Sequence, residues 1–99
     1  MYQPLDPLLH SQLRLAIVSL LVGLAEAQFT YIQEKTGATA GNLSVQIDKL
    51  KDAGYIKVKK KFKNNYPLTL CSITPKGEEA FERYVIDLKH YLEPKRDAA

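Results

Sequence analysis

The sequence predicts a mainly helical α+β fold in one small domain, residues 1–99. The expected order is helix, short helix, helix, strand, strand, long helix. Three observations carry this. Apolar residues recur at spacings of three and four in an N-terminal, a central and a C-terminal stretch, as on helix faces. Between the last two stretches the pattern changes to period two, as in a strand. Capping residues and glycines fall at the seams between these patterns.

The first helix is expected near residues 7–25. Asp6 reads as its N-cap and Pro7 as its first helical residue. Leu9, Leu13, Ile17, Leu20, Leu21 and Leu24 mark one apolar face. Leu8, Leu15, Val18 and Val22 mark a second, and a helix apolar on most sides must be buried on most sides. A chain of this size has little to cover both faces, so a second copy is the expected cover for one.

A short second helix is expected to begin at Thr30, where Thr-Tyr-Ile-Gln has the form of a capping box. Phe29 and Ile32 would face the core, and Gly37 suits a left-handed C-terminal cap. A third helix, 39–53, opens at Thr39 and is closed by Gly54. Its core face is Leu43, Ile47 and Leu50. In residues 55–62, Ile56 and Val58 alternate with Lys57 and Lys59, a strand. Residues 63–67 read as a turn, because Asn tolerates left-handed backbone. Thr69, Cys71 and Ile73 form the inward set of the returning strand. Thr74 and Pro75 open the last helix, 75–92, with Glu78 and Glu79 near its positive end. Pro94 would mark its end. Two short helices joined by a tight turn and followed by a two-stranded wing make a winged helix-turn-helix.

Charge is unevenly placed on this order of elements. Residues 35–63 hold eight Lys and two Asp, a balance of +6. Residues 1–34 hold one Arg against three acids, and residues 64–99 hold five basic residues against six acids. The net +3 therefore comes from the central block, which is the electrostatic footprint expected of a DNA-binding surface. The single cysteine rules out an internal disulfide and fits a reducing cytosol, so a cytoplasmic location is expected. The apolar stretch 13–25 is broken by Arg14 and Ser19 and is too short for a bilayer, and the N-terminus lacks a signal-peptide pattern.

On the third helix, the side opposite Leu43, Ile47 and Leu50 presents Gly41, Asn42, Val45, Asp48, Lys49 and Asp52, at about 100° per residue. Ser44 and Gln46 flank it. Asp48 and Asp52 would repel phosphates, so the first two turns are the part expected in a major groove. Asn42 and Gln46 can offer paired donor and acceptor atoms to adenine, and Val45 can touch a thymine methyl. Thr39 sits where a phosphate would meet free backbone N–H groups. A merely solvated face has the same composition. What separates the two readings is the neighbouring hairpin, where Lys57, Lys59, Lys60, Lys61 and Lys63 occupy five of seven positions. Lysines also guard edge strands against aggregation, but that need rarely takes five. Beside the Asn64 and Asn65 tip they suit a wing, 57–67, that follows the backbone or enters the minor groove.

No phosphate loop, triad or convergent carboxylate pair is visible, and an enzyme is not expected. His10 and His90 lack the neighbours of a metal site, and no cofactor is expected. Cys71 reads as a small buried apolar residue. Phe81, Tyr84, Val85, Leu88, Tyr91 and Leu92 recur by threes and fours, as on a helix-pairing seam.

The text Thr-Ala-Gly-Asn-Leu-Ser-Val-Gln-Ile-Asp-Lys-Leu-Lys-Asp-Ala-Gly-Tyr, from Thr39 to Tyr55, resembles the recognition helix of small winged-helix regulators of the MarR/ArsR-like type. Tyr-Pro-Leu-Thr at 66–69 and Ile-Thr-Pro-Lys-Gly at 73–77 are similar to that family's wing return and last-helix start. The resemblance covers about residues 8–92. It implies a homodimer on a pseudo-palindromic duplex, paired through the first and last helices, with Leu9, Leu13, Ile17 and the seam residues at the interface. It also implies groove contacts from Asn42, Ser44, Val45, Gln46 and Lys49, and wing contacts from Lys61, Lys63, Asn64 and Asn65, to which Gly41 on the exposed helix side and Lys59 in the lysine hairpin are added as candidate DNA contacts. Metal-sensing ArsR members carry cysteines where residues 38–40 have none, which argues against metal sensing. Ligand-binding MarR members are longer, which leaves the effector open. Two rival functions share the fold: a protein-interaction module, which would favour large apolar residues on the exposed half-helix, and a sequence-neutral DNA binder, which would favour aromatics in the basic patch.

Overall fold

The structure, a computed structural model, describes residues 2–93. The elements are α1 (Gln12–Val22), β1 (Ala27–Gln28), α2 (Phe29–Thr36), α3 (Ala40–Asp52), β2 (Ile56–Lys63), β3 (Tyr66–Ile73) and α4 (Pro75–Leu92). The order of the four helices and of the hairpin is the expected one. Pro94 lies outside the described residues.

The first helix is shorter than expected at both ends. Asp6 does act as a cap, accepting from the Leu8 N–H through Oδ1 at 2.8 Å, but it closes only a turn. The His10 N–H bonds to the Asp6 carbonyl, and the chain then re-extends at Ser11 (φ −150°, ψ 128°). Ser11 is the N-cap of α1, and Leu9 is already fully buried before the helix begins. At the other end Gly23 closes the helix, two residues before Ala25.

β1 is an element the sequence did not suggest. Ala27 pairs with Cys71 and Gln28 with Leu70, so the sheet runs β1-β3-β2, antiparallel throughout. This pairing explains a second correction. Gln28 is held extended by its strand partner and runs straight into α2, which therefore starts at Phe29 with no side-chain cap. Thr30 sits inside the helix and does not cap it. Gly37 ends α2 in the left-handed region, φ 72°, as expected.

Thr39 caps α3, accepting from the Asn42 N–H at 3.2 Å. Leu43, Ile47 and Leu50 are buried, packed with Leu9, Ile17, Val18, Leu21, Ile32, Ile56, Cys71 and Tyr84 into one core. Burial pushes the Cys71 thiol above its ordinary pKa, so it stays a neutral packing group. The hairpin turns through Asn64 and Asn65, both left-handed (φ 52° and 66°), the backbone of a two-residue turn that matches strand twist. Pro67 faces Phe62 next to the turn-flanking pair Lys63 and Tyr66. At such a position the missing N–H would point away from β2, beyond the reach of β1, so proline costs the ladder nothing.

Thr74 ties the wing to α4. Its hydroxyl accepts from the Gly77 N–H at 3.0 Å and donates to the Gly54 carbonyl at 2.6 Å. Three residues expected at the dimer interface lie elsewhere. Leu9, Ile17 and Tyr84 are buried in the chain's own core, which leaves them no area for a partner. Tyr84 instead bonds through its hydroxyl to His10 Nδ1 at 3.0 Å. Tyr91 donates from its hydroxyl to the Gln3 carbonyl at 2.7 Å and packs on Tyr2. Leu13 packs half-buried against the core, and so do Phe81 and Leu88.

Candidate nucleic-acid interface

The outward side of α3 is open where the helix begins. Thr39, Gly41, Asn42, Ser44, Val45 and Lys49 are all exposed. The later turns carry exposed Asp48 and Asp52, which phosphates would repel, beside Lys49 and Lys51, and Asp48 lies 3.8 Å from Lys51, an exposed contact of small value. The first two turns therefore form the part of the helix that can approach a polyanion.

Gln46 departs from the expectation. It is half-buried, and both ends of its amide are engaged. Its Oε1 accepts from Arg14 Nη1 at 2.5 Å, and its Nε2 donates to Asn42 Oδ1 at 3.1 Å. A paired contact from Gln46 to adenine is therefore not available while these bonds hold. Arg14 is the residue the sequence did not flag. In the sequence it only interrupts an apolar stretch, and its partner is 32 positions away, beyond any local pattern.

The wing places Lys57, Lys59, Lys61 and Lys63 on one strand face and Lys60 with Phe62 on the other, and all six are exposed. Asn64 and Asn65 form the tip. Phe62 and Tyr66, 78% and 73% exposed, stand on either side of it. A hairpin this open has no core of its own at its tip, and its charge meets solvent on both faces.

A family comparison places residues 13–92 in the winged helix DNA-binding domain family. The chain belongs to that family. The match takes in α1 through α4, so it covers both the open half of α3 and the lysine wing. An uncharacterized protein of Methanocaldococcus jannaschii is 35% identical over 79 residues, 80% of this chain and 86% of its own. The solved structure of a transcriptional regulator homologue from Pyrococcus horikoshii OT3 is 32% identical, with a TM-score of 0.80 over 86% of this chain and 84% of that one. The regulator BldR of Sulfolobus solfataricus has the same fold at 20% identity, with a TM-score of 0.71. That match covers 83% of this winged helix chain and 58% of BldR. A MarR-family regulator of Silicibacter pomeroyi shares the fold at 14% identity and a TM-score of 0.66, over 84% and 55% of the two chains. This is a small winged-helix protein of the transcriptional-regulator type, a binding domain and not an enzyme. Among the described residues no helix is long and apolar enough to cross a membrane.

Proposed function

We propose that this winged-helix protein is a homodimeric transcriptional regulator that binds double-stranded DNA sequence-specifically. The observation that carries the reading is one of composition and exposure together. The start of α3 is uncharged and exposed, and the hairpin that follows it in the chain bears five exposed lysines. A helix with an uncharged leading edge can enter the major groove, and a cationic hairpin supplies the phosphate contacts that hold it there. Asn42, Ser44, Val45 and Gly41 line the groove side, Thr39 and Lys49 meet the backbone, and Lys59, Lys61, Lys63, Asn64 and Asn65 act from the wing.

The homodimer reading is supported by an apolar groove between α1 and α4. Leu15, Phe81, Val85, Leu88 and Leu92 line it with almost no polar surface. Leu92 is 72% exposed at its edge, and Val22 and Ile86 extend the apolar surface nearby. A surface of this kind marks an association site. A two-fold pair of α3 helices then predicts a two-fold symmetric operator.

Selection of bound duplexes from a random pool tests the reading. Enrichment of a two-fold symmetric motif is the expected result, and enrichment of nothing overturns it. Asn42→Ala should then reduce affinity for the enriched site by about tenfold, the value of one good base contact, while random-duplex affinity stays nearly constant.

A further inference from the structure

The three side chains that join α1 to α3 have a fixed polarity. Arg14 Nε donates to the Leu8 carbonyl at 2.6 Å, which anchors the guanidinium to the turn that precedes α1. Its Nη1 donates to Gln46 Oε1, and Gln46 Nε2 donates to Asn42 Oδ1. A guanidinium has donors and no acceptor. Gln46 must therefore turn its oxygen to Arg14 and its amino group to Asn42. Asn42 must in turn give its oxygen to Gln46, and its Nδ2 amino group, on an exposed residue, is the end outside this chain of bonds. Reversing either amide would set N–H against N–H.

We propose that Arg14 is a positioning residue for sequence reading: through Gln46 it presents Asn42 to DNA as a donor. This rests on the DNA-binding function proposed above. The consequence is a base preference. In the major groove guanine offers two neighbouring acceptors, N7 and O6, whereas adenine offers one acceptor and one donor. An Asn free to rotate pairs with adenine through both ends of its amide. An Asn whose oxygen already accepts along the helix is a weaker acceptor for a base and presents its amino group as the free end, which matches guanine's two acceptors better than adenine's acceptor and donor. Ordering three side chains before DNA arrives also spares the complex part of the entropy of fixing them on binding. The expected half-site therefore carries a guanine opposite Asn42.

The test compares the wild-type chain with Arg14→Met and Gln46→Met. The first keeps the apolar stem of Arg14 and removes its donors. The second leaves Arg14 in place and removes the partner of Asn42. The probes are the duplex enriched from the random pool, the same duplex with adenine in place of the guanine, and a random duplex. Wild type should prefer the guanine duplex over the adenine duplex by about tenfold. Both variants should lose most of that preference, and the double variant should lose no more than either single one, because the three residues act as one unit. The dependence of affinity on salt should be unchanged, since Arg14 is spent inside the protein. A merely structural role would lower thermal stability and all three affinities together and leave the base preference intact, which overturns the proposal. An Arg14→Met chain with a reduced salt slope overturns it in favour of a direct phosphate contact. Wild type that enriches no sequence overturns the DNA-reading function itself, and that result is visible before any variant is made.

Discussion

The Tyr55 carbonyl oxygen occupies the space where residue 77 would carry a side chain: a β-carbon on Gly77 would lie 2.2 Å from it and 2.9 Å from Ile73 Cγ1. The carbonyl cannot swing aside freely, because it also accepts from the Thr74 N–H at 3.0 Å. In a helix, alanine is ordinarily better than glycine by about 1 kcal/mol. Here the sign should reverse. Gly77→Ala should lose about 1–3 kcal/mol in urea denaturation, the usual cost of forcing a methyl group into packed surroundings. A raised denaturation midpoint would show that the α4 start can move away from the wing.

The Tyr55 side chain makes a second, titratable tie. Its hydroxyl donates to Asp6 Oδ2 at 2.6 Å, linking the N-terminal turn to the end of α3. Burial, with the Asp6 hydrogen bond and charge adding to it, pushes the phenol from its ordinary 10.0 up to about 12. The fold thus favours the neutral phenol more than the unfolded chain does. That contribution is complete below pH 10.0 and fades as the pH rises through about 12. Tyr55→Phe lacks the group, so the stability gap between wild type and variant should shrink over that window. A gap that stays constant across it would mean that the hydrogen bond does not form in solution.

These two ties bear on what the sequence discloses. Helix α3 was legible because all its signals are local: Thr39 as cap, Leu43, Ile47 and Leu50 at helical spacing, and Gly54, with φ 81°, just past the end. The hairpin was legible for the same reason, through alternation and the Asn-Asn turn. What stayed hidden is non-local. A two-residue strand such as β1 has no period to detect, and its existence depends on Cys71 and Leu70 more than 40 positions away. Asp6 and Pro7 do carry a helix-start signal, yet the helix begins at Gln12, capped by Ser11. At the interface, Asn42 is where projection puts it. Of the two bonds that engage Gln46, the one from Arg14 comes from α1, which no pattern within α3 encodes.

The dimer proposal calls for residues that are not already in the core. Leu92 is the best probe, since it is 72% exposed in the single chain and lines the groove between α1 and α4. Leu92→Glu should cost the isolated chain little, but in a dimer it would bury an unpaired charge at a cost of several kcal/mol. Sedimentation should find the wild type dimeric at micromolar concentration and the variant monomeric, with cooperative unfolding retained in both. A monomeric wild type, or a variant that still dimerises, removes this groove as the pairing surface.

Lys61 and Lys63 test the wing without touching the fold. Both are exposed, and they share one face of β2 opposite Leu68 and Tyr66. Lysine is a point charge on a flexible stem, so its contribution should be affinity and not base choice. Each phosphate contact releases counterions and adds about 0.9 to the magnitude of the log–log salt slope. If Lys61→Ala and Lys63→Ala each remove one contact per subunit, a dimer carrying both changes should lose about 3.6 from that slope. Affinity for the enriched site and for random duplex should fall by similar factors, so their ratio should hold. Asn42→Ala should do the opposite, changing the ratio and leaving the slope alone. Measuring both variants in one salt titration separates holding from reading. A wing variant with an unchanged slope would show that these lysines stay in solvent when the helix docks.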